Sequence, residues 1–225
     1  MATKQSDQKA QLVSHYQENL HLFKLFQEAV SNALRFAPSL NKPPHPIIHS
    51  IKTRLKDPDH LSGKIQRKNN SGRDITKENL FKEITDLSGV RVLHLHQTQA
   101  TQIHDFITSQ VHAKEWFLVE KPVAYSWDPD STEFFKGLGL KVQIKPSHYT
   151  SIHYVVRPRK DAIAACEIQV RTLFEEIWGE IDHTVNYPKP TTNPATKEQL
   201  RVLSKLVSTG SRLADSIFKL HDPIP

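Results

Sequence analysis

One cysteine, Cys166, occurs in 225 residues. It leaves no partner for an internal disulfide and no cysteine cluster for zinc. Glycine is scarce as well, with 7 residues. Neither GxxxxGK(S/T) nor GxGxxG occurs, so a phosphate ligand would be held by side chains and not by a glycine-rich loop. No apolar run approaches the ~20 residues of a membrane span. The N-terminus Met1-Ala-Thr-Lys-Gln-Ser-Asp7 lacks the apolar stretch of a secretion signal. These absences point to a cytoplasmic protein with no membrane partner.

What is present is ordinary for a globular chain: 37% hydrophobic and 24% charged residues. The formal net charge is +6 and the pI about 9.3. That balance favours an anionic partner such as nucleotide, RNA or acidic protein. A basic surface without a specific ligand fits the sum equally well. Where the charge sits decides more.

Apolar residues Leu12, Tyr16, Leu20, Phe23, Phe26, Val30 and Leu34 recur at three and four, which predicts one helix over 8–36. A proline-rich connection over 37–46 follows. Asp57-Pro58 predicts the start of a second helix, fading at Asn69-Asn70-Ser71-Gly72. A short helix is expected near 77–84 and others near 98–111, 172–187 and 195–220, with a loop at Tyr125–Ser131. Strands are expected near 89–96, 115–121, 139–145, 150–157 and 164–170. This order makes an α+β fold: a mixed sheet of about five strands flanked by helices. The division expected is an N-terminal helical extension over 1–46, a core over 47–190 and a C-terminal helix over 191–225.

Two strands carry unusual polar faces. With a period of two, Glu167, Gln169 and Arg171 share one face, opposite Cys166, Ile168 and Val170. Tyr149, Ser151 and His153 do the same opposite Ile152, Tyr154 and Val156. An acid, an amide, a guanidinium, a phenol and an imidazole side by side suggest a lined cleft. Before and on the second helix lie Arg54, Lys56, His60, Lys64 and Arg67, the last three on one face. A solvated basic face is the usual fate of such a run; a polyphosphate clamp is the alternative. Asp86 opens an apolar strand, where an acid is commonly a turn residue. With Glu167 it could instead form a Mg²⁺ site, since Mg²⁺ takes one or two carboxylates plus substrate phosphates. For Glu167, a salt bridge to Arg91 or Arg171 is an equal alternative. His104-Asp105 and His221-Asp222 read as surface pairs. Ser151 and His153 lack the strained turn of a nucleophile, so a hydrolytic triad is not expected.

Four segments in order resemble the synthetase domain of the RelA/SpoT family: Arg54-x-Lys56 with Lys64 and Arg67; Asp86-x-x-Gly89-x-Arg91; Tyr149-x-Ser151-x-His153; and Glu167-Ile-Gln169-Val-Arg171-Thr172 followed by Trp178, His183, Asn186 and Tyr187. Ser211-Arg212-Leu213 adds a weaker match. The resemblance implies a nucleotidyltransferase-like fold. It also implies transfer of the β,γ-pyrophosphate of ATP to the 3′-hydroxyl of GDP or GTP. Arg54 and Arg91 would flank the adenine. Lys56, Lys64 and Arg67 would hold the ATP phosphates. Asp86 and Glu167 would bind Mg²⁺, and Glu167 could also take the acceptor proton. Tyr149 would stack on the acceptor base, with His148, Ser151, His153 and Gln169 around it. The catalytic set is thus Glu167, Asp86, His153 and Arg67.

Three positions depart from the family pattern: His148 where glycine usually precedes the tyrosine, His60 where serine is common, and Pro188 after Asn186-Tyr187. His148 bears on acceptor choice. A toxic relative that modifies the 3′-CCA end of tRNA is therefore a rival reading, with an antitoxin as partner. A non-catalytic nucleotide- or RNA-binding module is another; Asp86 and Glu167 argue against it, since a pure anion binder gains nothing from acids. The resemblance also admits a homo-oligomer. With only about 50 residues before the motifs, the family's hydrolase half is not expected.

Overall fold

The structure is a computed structural model that describes residues 2–221 except Pro146 and Pro188; for residues 2–6 it describes the backbone alone. Its strands are β1 (Ser50–Leu55), β2 (Ser88–His94), β3 (Phe117–Leu118), β4 (Val123–Tyr125), β5 (Lys141–Gln143), β6 (Ser151–Arg157) and β7 (Cys166–Thr172). The helices are α1 (Ala2–Glu18), α2 (Leu20–Arg35), α3 (Pro58–Asn70), α4 (Leu80–Glu83), α5 (Ala100–His112), α6 (Pro129–Gly137), α7 (Leu173–Asn186) and α8 (Pro194–His221). The expectation of about five strands is too low: one sheet holds seven, in the order β1-β2-β7-β6-β4-β5, with β3 paired to β6. The two unforeseen strands have clear physical excuses. β1 lies at an edge with three of its six residues exposed, and β4 is only three residues long. Neither presents an alternation long enough to read.

The sheet is mixed. β2 and β7 run parallel, as do β4 and β5, while β1–β2, β6–β7 and β4–β6 are antiparallel. Register makes its polar face continuous. Lys52 pairs Arg91, Arg91 pairs Gln169, and Gln169 pairs His153. One row along, Arg54, Gly89 and Glu167 are partners. The period-two reading of β7 therefore holds. The opposite face (Val90, Val92, Ile152, Tyr154, Val156, Cys166, Ile168, Val170) forms the core with residues of α1, α2, α3 and α5. There Cys166 is fully buried, and burial pushes its thiol up to about 12, which makes it an inert apolar filler.

The single helix expected over 8–36 is two. They break at Asn19, whose side-chain amide donates to the His15 carbonyl at 2.8 Å in place of a helix continuation. In α2, the buried Gln27 then donates to the Gly89 carbonyl at 2.9 Å, tying that helix to the strand that carries Arg91 and follows Asp86. Helix α3 starts as the Asp57-Pro58 signal predicts, with the Asp57 carboxylate accepting from the Asp59 and His60 amides. The expected helix near 77–84 contracts to α4. Helix α7 opens on a capping box between Thr172 and Glu175. It lies over the polar face, held against α8 by the Trp178 indole donating to the Leu200 carbonyl at 3.0 Å.

Helix α8 is fastened by charge. Asp215 accepts from the Thr98 hydroxyl at 2.6 Å and meets His96 at 2.6 Å, while Arg212 pairs with Asp128 and Asp130. Of the His104-Asp105 pair, Asp105 is exposed as expected, while His104 is half-buried: its Nδ1 lies 2.8 Å from the Tyr154 hydroxyl, and partial burial lowers its pKa. His221 is exposed at the end of α8; Asp222 lies outside the described residues.

Candidate active site

Between the polar face of the sheet and α7 lies a cleft of about 570 Å³. Lys52, Arg54, Arg91, Gln169 and Arg171 rise from the sheet, Tyr149 enters from the side, Glu180, His183 and Asn186 come from α7, and Tyr187 follows its last turn. Arg54 folds over Gly89: a β-carbon built on that glycine would stand 3.6 Å from the Arg54 side chain. Gly179 is tighter. A β-carbon there would be 2.7 Å from the Arg171 guanidinium, so a side chain at this position would displace Arg171.

Beside the cleft sits a compact charge cluster. Lys56 and Lys64 bind the same Asp86 oxygen, Oδ2, at 2.7 and 2.8 Å. Burial works to raise the Asp86 pKa, but the ammonium groups of Lys64 and Lys56 outweigh it and hold the carboxyl at about 2. Burial lowers the Lys56 pKa despite its partner. The other oxygen, Asp86 Oδ1, is buried and has no hydrogen-bond partner among the described residues. A buried carboxylate oxygen rarely stays unpaired, and this one is available to a cation. Arg67, one helical turn from Lys64, is exposed on α3.

Glu167 does not pair with Arg91 or Arg171, so that alternative falls. Its Oε1 lies 3.0 Å from His153 Nδ1, and its Oε2 accepts from the Gln169 amide at 2.7 Å. Burial would raise the Glu167 pKa, but the His153 and Gln169 contacts outweigh it and lower it. Since a carboxylate only accepts, His153 Nδ1 carries the proton of that contact, and its Nε2 lies 3.0 Å from the Tyr149 hydroxyl. Asp86 stands close enough to be felt by Glu167 as a repelling charge. Two neighbouring carboxylates, one with a free oxygen, fit the donor set that Mg²⁺ takes.

Sequence reasoning assigned Tyr149 to a strand; the structure puts it in the loop before β6, with its hydroxyl reaching His153. Ser151 is buried and donates to the Val170 carbonyl at 3.3 Å, with its hydroxyl also near that of Tyr149. His148 is one of two non-glycine residues described with positive φ, at 61°. Glycine adopts this backbone freely, whereas His148 holds it under strain. Its ring packs edge-on to Trp127 at 5.1 Å. Burial, then Arg201 and Lys205 on α8, lower its pKa. The Pro188 departure lies outside the described residues.

Three contributors escaped the sequence reading. Lys145 sits 3.8 Å from the Tyr125 ring centre and 5.2 Å from that of Tyr149. Burial lowers its pKa, and both Glu167 and Lys64 lie in electrostatic range. A lone lysine in an irregular segment carries no periodic signal. Glu176 and Glu180, one turn apart on α7, both bind Arg91, at 2.8 and 2.6 Å. Their i, i+4 spacing inside the fourth motif was legible, but not the partner to which it pointed.

A mixed sheet with this polar face is a nucleotidyltransferase-like fold, and a cleft lined by cations beside paired acids is that of a phosphoryl-type transferase. The profile of the region found in RelA and SpoT proteins matches residues 53–192. Among solved structures, the fold is similar to small alarmone synthetase 1 from Bacillus subtilis bound to its product pppGpp (18% identity, 93% of this chain and 100% of that one, TM-score 0.70). The same Bacillus subtilis protein bound to AMPCPP gives 18% identity over 94% and 100% of the chains, with a TM-score of 0.67. A GTP pyrophosphokinase family protein from Streptococcus pneumoniae gives 19% over 90% and 92%, with a TM-score of 0.69. No curated protein matches by sequence. The chain belongs to the RelA/SpoT family and is an enzyme of the pyrophosphotransferase type.

Proposed function

We propose that the enzyme moves the β,γ-pyrophosphate of ATP to the 3′-hydroxyl of GDP or GTP. The observation that carries this reading is Asp86: one oxygen clamped by Lys56 and Lys64, the other buried and unpaired, beside a second carboxylate. Arg54 and Arg91 hold the adenine end of the cleft, and Lys56, Lys64 and Arg67 face the triphosphate. Asp86 and Glu167 hold Mg²⁺, which supplies Lewis-acid neutralisation of the phosphate oxygens. Transfer of this kind needs positioning and charge stabilisation, not a covalent nucleophile. Tyr149 offers its face to the acceptor base, and His153 keeps the Tyr149 hydroxyl and Glu167 in one hydrogen-bonded chain. Lys145 lies beside Tyr149 and meets acceptor phosphate.

A second acceptor, the 3′ end of tRNA, has one observation in its favour. Strained His148, Trp127, Arg201 and Lys205 make the acceptor side both aromatic and basic, as a stacked nucleic acid requires. The test is purified enzyme with γ-labelled ATP and Mg²⁺, offered GDP, GTP and deacylated tRNA in turn. Label in guanosine tetra- or pentaphosphate supports the first reading. Label confined to tRNA replaces it with the second. No transfer to any acceptor refutes both.

A further inference from the structure

Glu176 is buried in the first turn of α7, just behind the cleft lining. Its Oε1 accepts from Lys52 at 2.8 Å and from Arg91 at 2.8 Å, and its Oε2 stands 2.6 Å from an Arg171 guanidinium nitrogen, a charge contact without hydrogen-bond geometry. Those cations differ in address. Arg91 and Lys52 are neighbours across the β1–β2 ladder, at the end assigned to the ATP base. Arg171 is buried, and its guanidinium carbon lies 5.7 Å from the Tyr149 ring centre, at the acceptor end. One carboxylate thus spans the two nucleotide ends. Glu180 binds Arg91 at 2.6 Å from a more exposed position but has no contact with Arg171 among those described.

We propose that Glu176 is a positioning residue that couples the donor and acceptor subsites, setting the Arg91 guanidinium on one side and the Arg171–Tyr149 pair on the other. A buried carboxylate shared by three cations fixes their side chains only while all contacts are kept. Loss of its charge frees both ends at once. Loss of Glu180 frees one. The inference rests on the assignment of Arg91 to ATP and Tyr149 to the acceptor.

The test is steady-state kinetics with each substrate varied, on Glu176→Gln and Glu180→Gln. Glu176→Gln is expected to raise KM for ATP and for the acceptor, each about tenfold, with a smaller change in kcat. Glu180→Gln is expected to raise KM for ATP alone, by about threefold. A Glu176→Gln enzyme altered toward one substrate only, or reduced in kcat at unchanged KM, overturns the coupling. If that variant does not fold, Glu176→Asp keeps the charge but shortens the reach. It must then raise both KM values, and a rise in neither or in one overturns the proposal. Wild-type transfer measured in parallel separates this from the function: an inactive wild type refutes the proposed reaction, whereas an active wild type with single-sided variants refutes the coupling.

Discussion

The two ends of the cleft are built on different principles. At the end proposed for the donor, cations of β2, α3 and the β1–α3 connection meet carboxylates in short ion pairs: Lys56 and Lys64 on Asp86, Arg91 on Glu176 and Glu180. At the end proposed for the acceptor the pieces are rings and a loop. Lys145 lies over Tyr125, His148 packs on Trp127, and Tyr149 hangs before β6 from a left-handed residue. Fixed charge suits a polyphosphate, whose shape and charge vary little between substrates. Stacked rings suit a base, and a loop that positions them can be altered without disturbing the charges. On the proposed assignment, the loop carrying the acceptor rings is distinct from the charge cluster around Asp86, and the two ends meet only through shared contacts such as those of Glu176 and His153.

The largest effect should come from the donor end. Asp86→Asn removes the free carboxylate oxygen and half the clamp, and should lower kcat by roughly 10³-fold or more. Retained activity at the wild-type level would dissolve the contrast between the two ends.

The same pair predicts acid sensitivity. The Asp86 pKa is depressed in the folded state, from 3.8 to about 2. Its contribution is therefore fully present above about pH 4 and is lost as pH falls through about 2. It is on the order of 2 kcal/mol. Urea unfolding across that window should show the loss in the wild type and not in Asp86→Asn.

At the acceptor end, Tyr149→Ala should raise KM for the acceptor about tenfold or more, while KM for ATP stays within error. An equal rise for ATP would mean the ends are not separable at that residue. Smallest is His148→Gly, which relieves the left-handed strain of about 1 kcal/mol and removes the ring from Trp127. It should shift acceptor KM by about threefold with ATP unaffected, and kcat/KM ratios for GDP and GTP report the shift.

Much of the site was legible because period and motif fall on regular elements. β7 placed Glu167, Gln169 and Arg171 on one face as expected, and Asp57-Pro58 marked α3 correctly. What was hidden depends on long-range pairing. β1 is too polar to read alone, yet its pairing with β2 sets Arg54 beside Gly89. Ser151 shares the parity of His153, but its hydroxyl is drawn to the Val170 carbonyl. The helix over 8–36 had the right apolar spacing, and a single Asn19 amide still divided it. Burial also hid His104, whose neighbour Asp105 suggested an exposed pair while Tyr154 lay across the core.

The most direct measurement is competition between acceptors: labelled ATP with GDP and deacylated tRNA together, read as the ratio of their kcat/KM values. The account predicts that label accumulates in guanosine tetraphosphate, with GDP preferred by about tenfold or more. Label accumulating on tRNA in the presence of GDP would contradict it.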